Sequence, residues 1–385
     1  MLEYALQGGR KYWAWLTLVA AVIAVGFLCY LRQYQTGLTI TGMSRDITWG
    51  FYIAQFTFLV GIAASAVMVV LPYYLHDWKA FGRITVLGEF LAISAVVLCM
   101  LFILVDMGQP ARILNIFRYP SPRSMMFWDT VALSGYLLLN IVISRATLDS
   151  ERKLLAPPRW IRPVILLSIP WAISIHTVTA FLYAGLPARP FWMTAVLAPR
   201  FLASAFASGP ALLILLVLLL KRCTGWDAGR EPVQKLALIV TYALGIHLFL
   251  ILTELFTVFY AGVPEHISHF QFLLFGTGAG YLVLWEWTSL ILGFAAFVLL
   301  IIPRMRRNEN SLVACCAALF VSIWIEKGLA MVVTGFVPSP LGRFAGYRPT
   351  APELLISAGI YGIGAFLVTI FFRIFAKTKA VLTSS

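Results

Sequence analysis

Residues Ser311 to Phe336 read SLVACCAALFVSIWIEKGLAMVVTGF. As a helix rising about 1.5 Å per residue, this run is long enough to cross roughly 30 Å of hydrocarbon. Its only acidic or basic residues, Glu326 and Lys327, stand side by side in an otherwise apolar segment. A charge at the centre of a membrane helix costs at least about 2.5–3.5 kcal/mol, so such residues face a cavity, pair with one another or handle protons. The segment therefore reads as a membrane span that contributes to a polar interior site.

The rest of the chain repeats the pattern. Ten apolar runs fall near 13–31, 49–75, 84–106, 127–144, 163–184, 201–220, 236–260, 283–303, 311–336 and 353–375. The 385 residues are 61% hydrophobic and 12% charged, with a mean hydropathy of +0.89. Soluble domains carry about 25% charged residues. In lipid the backbone must satisfy itself, which leaves helices or closed barrels. The runs have helical length and lack the alternation of barrel strands. The expectation is an all-α polytopic membrane protein, a single integral membrane domain over residues 1–385. The first apolar run, from Trp13 to Leu31, has no small-residue cleavage site after it and reads as a retained anchor.

The net charge of +13 is spread over loops, which excludes a nucleic-acid surface and suits orientation by positive residues. The N-terminus, the even-numbered loops and the C-terminus carry 19 Lys and Arg, against nine in the odd-numbered loops. That bias predicts a cell-membrane protein with both termini in the cytoplasm. The outward loops are rich in Gly and Pro. They include Gly108-Gln-Pro-Ala-Arg112, Gly185-Leu-Pro-Ala-Arg-Pro-Phe-Trp192 and the stretch from Pro338 to Pro352.

A faint internal repeat runs through the spans. Gly108-Gln-Pro110 after span 3 matches Gly262-Val-Pro264 after span 7, and Trp128-Asp129 matches Trp285-Glu286. His176 precedes Gly185 by nine residues, as Glu326 precedes Gly335. Spans 2–5 (49–184) and 6–9 (201–336) are thus expected to form two pseudo-repeated four-helix bundles. Span 1 (13–31) and span 10 (353–375) would flank them.

Ionisable residues cluster toward the outer face. Asp106, Asp129 and Glu286 lie at span ends on that side, and His176, Glu254, Glu326 and Lys327 lie near mid-depth or beyond. Carboxylate, imidazole and guanidinium groups beside apolar surface suit a lipophilic ligand that exchanges protons, such as a quinone. Bland alternatives stand beside this. Asp129 and Glu286 could cap helices, His176 could bridge two helices, and Glu254, Glu326 and Lys327 could be ion-paired locks. Glu89 lies nearer the cytoplasmic side and His247 at mid-depth, where they could begin an inward proton route.

Cofactor ligands are scarce. The five cysteines, Cys29, Cys99, Cys223, Cys315 and Cys316, form no CxxC, so no iron–sulfur cluster is expected in this chain. His176 and His247 are the only intramembrane histidines, a thin basis for haem, and neither they nor Glu265-His-Ile-Ser-His269 make a convincing metal site.

The segments Ile169-Pro-Trp-Ala-Ile-Ser-Ile-His-Thr-Val-Thr-Ala-Phe-Leu-Tyr-Ala-Gly-Leu-Pro-Ala-Arg-Pro-Phe-Trp192 and Phe201-Leu-Ala-Ser-Ala-Phe-Ala-Ser-Gly-Pro-Ala211 resemble the NrfD/PsrC family of membrane subunits. Trp49-Gly-Phe-Tyr-Ile-Ala54, Gln109-Pro-Ala-Arg112 and Met126-Phe-Trp-Asp129 add to the likeness, which is greatest for the branch associated with sulfite reduction. The resemblance implies a subunit without redox cofactors that exchanges electrons between menaquinone and an iron–sulfur partner on the outer face. It implies two four-helix bundles, with the quinone site in the first. By position, Asp106, Asp129 and His176 would carry the chemistry. Gln109, Arg112, Asp129, His176 and Arg189 would bind the quinone or stabilise its anionic forms. Protons would pass through Glu89, His247, Glu254, Glu286 and Glu326. The implied partners are membrane lipid, a ferredoxin-like iron–sulfur subunit, a multihaem cytochrome c, and a membrane cytochrome b with its cytoplasmic iron–sulfur subunit. A proton-coupled transporter and a purely structural anchor remain the rival readings.

Overall fold

The computed structural model describes residues 3, 7–76, 78–153, 155, 157–278 and 280–384, with side chains up to residue 379. Among them, ten helices are long and apolar enough to cross a membrane. Span 1 is α1 (Arg10–Thr36). Span 2 is two pieces, α2 (Phe51–Ala63) and α3 (Val67–Leu75). Then come α4 (Thr85–Asp106), α5 (Met125–Arg152), α6 (Ile161–Ala184), α7 (Leu197–Thr224) and α8 (Arg230–Ala261). A short helix, α9 (Pro264–Phe275), precedes α10 (Val283–Ile301). Span 9 is α11 (Glu309–Ile323), a π-helical segment Trp324–Ala330 and α12 (Met331–Thr334), and span 10 is α13 (Ala351–Ser384).

The helices overrun the apolar windows read from sequence at most ends. Hydrogen bonding continues past the hydrocarbon limit, so α1 begins at Arg10 and α5 ends at Arg152. Successive spans alternate in direction, and the odd-numbered connections are gathered at one end, here the long-loop end.

Side-chain size sets the packing. Span 2 is the most enclosed helix and α1 the least. α2 packs on α4, and α5 joins α4 to α6. On the other side α7 packs on α8 and α11, and α10 packs on α11 and α8. α2 touches α7 and the π segment across the middle of the molecule. There, small residues let the backbones meet, as membrane interfaces require. A Cβ added to Gly209 would lie 2.9 Å from Ser65 N and 3.1 Å from Gly61 O. At the same level span 2 loses its α-helical pattern. Ala64 N donates to Gly61 O and Ser65 N to Ile62 O, three residues back. α13 lies along α1 and α4, with Gly26 against Gly359.

Two spans are therefore irregular within the membrane, at 64–66 and at 324–330. The Gly- and Pro-rich segments read from the sequence gather instead in the long loops. These two arise elsewhere, from close backbone packing and from a π segment containing no proline.

Candidate functional site

The α6 helix presents His176, Thr179 and Tyr183 one turn apart, all fully buried. Thr179 Oγ1 donates to Asp129 Oδ1 on α5 at 2.6 Å and shares its hydrogen with Ile175 O at 2.8 Å. Tyr183 Oη pairs with Thr57 Oγ1 on α2. His176 is 0% exposed, and neither ring nitrogen has a hydrogen-bond partner among the described residues. Buried polar atoms without partners are rare and call for a reason.

Asp129 does not cap α5. Ser124 precedes the helix, and Asp129 lies in its second turn, turned inward to Thr179. The capping alternative is thus replaced by a buried interhelical hydrogen bond. Above it, toward the long-loop end, Trp49, Tyr183, Trp192 and Phe336 form an aromatic cluster with ring centroids 5.0–5.9 Å apart. Tyr183 and Trp192 pack edge to face, with ring centroids 5.0 Å apart. Trp171 ties α6 to α5 through Ala132 O at 2.8 Å.

A cavity of about 410 Å³ opens beside this column, between the ends of α4 and α5 and the 107–124 loop. Its lining is mainly apolar, with Arg112, Tyr119, Ser121, Ser124, Thr130 and Ser134 as polar groups. Asp129 and His176 lie outside its lining; Thr130, next to Asp129, is in it. The expected site residues do not all converge. Gln109 is exposed, and Arg189 lies over the Phe336 ring at 4.3 Å from its centroid. Burial pushes the Arg189 guanidinium below its ordinary range, opposed by Asp46. Asp106 ends α4 with Oδ1 buried and, among the described residues, without a hydrogen-bond partner. Glu89 is buried in α4, its Oε2 likewise without a hydrogen-bond partner among the described residues.

The second concentration of charge lies in α7, α8 and the π segment. Arg200 donates through Nη1 to Glu254 and through Nη2 to Glu326. His247 Nε2 lies 3.3 Å from the second oxygen of Glu326. Glu286, on α10, is buried, its Oε2 has no hydrogen-bond partner among the described residues, and it interacts electrostatically with Arg200 and Glu326. Glu254 also lines a cavity of about 320 Å³ with Thr194, Thr257 and His266.

This network revises the ion-pair alternative for Glu326 and Lys327. Glu326 turns to Arg200 and His247, while Lys327 Nζ donates to Phe201 O at 3.2 Å and sits 4.3 Å from the Phe201 ring centroid. The π segment allows this. Its widened turn changes the rotation per residue, and such segments often mark functional positions. Sequence reading missed Arg200 because it stands one residue before the apolar run and counts there as a loop cation. Two carboxylates at one depth, Glu254 and Glu326, with a single lysine for both were the signal that could have found it.

At the long-loop end, His269 is on α9 rather than in a loop, buried, with Nδ1 2.9 Å from Thr334 O and 2.8 Å from Val337 O. Two carbonyl acceptors fix the hydrogen on Nδ1. Burial holds this imidazole below its ordinary 6.5, against the opposing effect of those two bonds. Glu353 Oε2 accepts from Gly42 N at 2.7 Å and Thr350 N at 2.8 Å, and Oε1 from Tyr347 Oη at 2.8 Å, tying three segments together. Among the described residues no group of three or more His, Cys, Asp or Glu is placed to hold a metal ion.

Comparison with known proteins agrees with this architecture. The chain is 26% identical to a putative dimethyl sulfoxide reductase membrane subunit from Halobacterium salinarum, over 92% of this chain and 89% of the relative. It is 24% identical to the Hdr-like menaquinol oxidoreductase integral membrane subunit of Archaeoglobus fulgidus, over 85% of this chain and 80% of that one. It is 21% identical to the menaquinone reductase integral membrane subunit of Nitratidesulfovibrio vulgaris, over 94% and 91%. Residues 39–336 match the family model described as polysulphide reductase, NrfD. With ten apolar helices and a family match over most of its length, this multi-pass membrane chain belongs to the NrfD family.

Proposed function

We propose that this chain is the quinone-reactive membrane subunit of an electron-transfer complex, exchanging electrons and protons between menaquinone and an iron–sulfur partner at the long-loop end. The observation that carries the reading is the apolar cavity of about 410 Å³ bordered by Arg112, Tyr119, Ser124 and Thr130, one residue from the Asp129–Thr179 pair. A prenylated ring needs apolar walls and a few hydrogen-bonding groups, and this cavity offers both. Two relatives support the ligand, since their names specify menaquinol oxidoreductase and menaquinone reductase subunits.

A bound quinone would supply coupled electron and proton chemistry. Arg112 would hold a carbonyl oxygen by a charge-assisted bond. Asp129, oriented by Thr179, would take or return a proton at its carboxylate, with His176 one turn from Thr179 on α6. Arg189 would face the docked partner, Gln109 would border the cavity mouth, and Asp106 would pass protons outward. Glu89, His247, Glu254, Glu286 and Glu326 would form the inward proton route. Spans 2–5 and 6–9 would be the two repeated bundles, in a cell membrane with both termini cytoplasmic. By its resemblance to DsrP of the DsrMKJOP complex, the chain would serve sulfur metabolism. Its partners would be a ferredoxin-like protein, a multihaem cytochrome c, and a cytochrome b with a cytoplasmic iron–sulfur protein. The mid-membrane irregularities at 64–66 and 324–330 favour a second reading, a proton-coupled transporter, because broken helices line transport sites.

The deciding experiment is purification with co-purifying subunits, without added quinone, followed by mass spectrometry of extracted lipids. Near-stoichiometric menaquinone, lost or unable to turn over in Asp129→Asn while the subunits still assemble, is the expected result. No quinone in the purified complex, or full turnover by Asp129→Asn, would overturn the assignment.

A further inference from the structure

The connection between α10 and α11 lies at the end opposite the long loops. It carries three arginines in five residues, Pro303-Arg-Met-Arg-Arg307, folded as a short helical turn. Positive charge at this end is general, as orientation requires. What sets this stretch apart is the groove beside it. A cavity of about 380 Å³ opens between the last turns of α10 and the first turns of α11. Its walls are small side chains, Ala295 and Ala296 on one helix and Ala314, Cys315 and Ala318 on the other, with Leu299 beside them. Ala295, Leu299 and Ala314 are exposed, so the groove opens on the membrane-facing surface.

Met305 and Ser311 close its charged end, with Ser311 Oγ 3.7 Å from Met305 Sδ. The two arginines that flank Met305 therefore stand at the mouth. Arg306 Nη1 donates to Leu300 O at 2.8 Å, which pins the guanidinium to the end of α10, next to Leu299 of the groove wall. The Arg306 carbonyl accepts from Gln234 on α8 at 3.1 Å and holds the turn to the bundle. Arg304 is exposed and, among the described residues, has no hydrogen-bond or ion-pair partner. The nearby acids are occupied elsewhere, since Glu309 and Asp227 both pair with Lys221, at 2.8 and 3.1 Å.

We propose that this groove binds one anionic phospholipid of the leaflet at that end, with an acyl chain between α10 and α11 and the phosphate on Arg304 and Arg306. The planar guanidinium fork matches phosphate oxygens, and Arg306 keeps further N–H groups after serving Leu300. Ala314 to Ala318 spans about 6 Å of helix, enough for the first methylenes of a chain. An empty groove forfeits dispersion contacts along its walls, and a flexible chain restores them. Basic pockets between membrane helices recognise anionic head groups on the same grounds. A zwitterionic lipid offers the same chain, but its own amine offsets its phosphate. Retention thus comes from the groove and preference from the arginines. The site does not depend on the quinone reading.

The test is native mass spectrometry of the complex, purified with its co-purifying subunits and mixed in micelles with equal amounts of phosphatidylglycerol and phosphatidylcholine of the same chains. The wild type is expected to retain phosphatidylglycerol over phosphatidylcholine at least about fivefold. Arg304→Gln with Arg306→Gln should bring that ratio below about twofold. Arg159→Gln with Arg162→Gln removes two exposed charges from the α5–α6 connection and the start of α6, and should leave the ratio unchanged. Ala295→Phe with Ala314→Phe fills the groove from its exposed walls; retention of both lipids should fall while the complex stays assembled. Where loss of Arg306 loosens the end of α10, Arg304→Gln alone decides, and an unchanged ratio there sinks the proposal. Equal retention of the two lipids by the wild type, or an equal loss of preference in both arginine pairs, would leave only general surface charge and overturn the site. No lipid on the wild type, with a subunit shed by Ala295→Phe with Ala314→Phe, would give the groove to a partner's helix and overturn it too.

Discussion

Replacing Arg200 by methionine removes the one base between two buried carboxylates. The Arg200, Glu254 and Glu326 side chains are 11%, 7% and 4% exposed, so water cannot take over the role of the guanidinium. Removing one partner of a buried pair costs about 3–5 kcal/mol, because an uncompensated charge remains. Here two carboxylates lose their partner, although His247 Nε2 stays 3.3 Å from Glu326. The expected cost is therefore within that range and not double it. The assay is reversible denaturant unfolding in detergent micelles followed by circular dichroism. Arg200→Met is compared with Glu254→Gln plus Glu326→Gln, and with all three together. Neutralising the whole cluster leaves apolar and amide groups, which buried sites often tolerate without loss. The triple variant should thus recover at least about 2 kcal/mol relative to the sum of its parts, a coupling typical of residues in one network. Effects that add to within about 0.5 kcal/mol would refute the account, since independent sites behave that way.

Other expectations follow from single contacts. Gly209→Val drives a side chain into the Ser65 and Gly61 backbone and should cost about 1–3 kcal/mol, read as a lower melting temperature; Gly346→Ala, which meets open space, should be silent. His269 is neutral when folded and protonates more readily when unfolded, so the unfolded state binds more protons below pH 6.5. Stability should fall as pH drops through that value, by no more than about 1.4 kcal/mol per pH unit, and His269→Gln should abolish that slope. Glu353→Gln weakens the tie to Gly42, Tyr347 and Thr350 at a cost of about 1–3 kcal/mol, and hydrogen exchange at Gly42 and Thr350 should accelerate. Unchanged exchange would remove Glu353 from its role.

Ten spans, their approximate limits and the helical class were legible in the chain itself, because lipid leaves the backbone no alternative to internal hydrogen bonding and hydrocarbon thickness fixes the length of each run. The sequence also marked the ionisable residues worth attention, since a charge among apolar neighbours is conspicuous. It did not determine their partners. Glu326 and Lys327 are neighbours in the chain, yet the π segment sends one to Arg200 and the other to Phe201. Arg200 and Glu326 are 126 positions apart. A capping role for Asp129 stood beside a site role in the sequence, and only the packing of α5 on α6 shows that its carboxylate meets Thr179. Span periodicity specifies how much of a helix is apolar, whereas rotation about its axis and depth against its neighbours depend on where small residues such as Gly61 and Gly209 let backbones meet. Those contacts are nonlocal, so the pairing of buried charges was decided only by the tertiary structure.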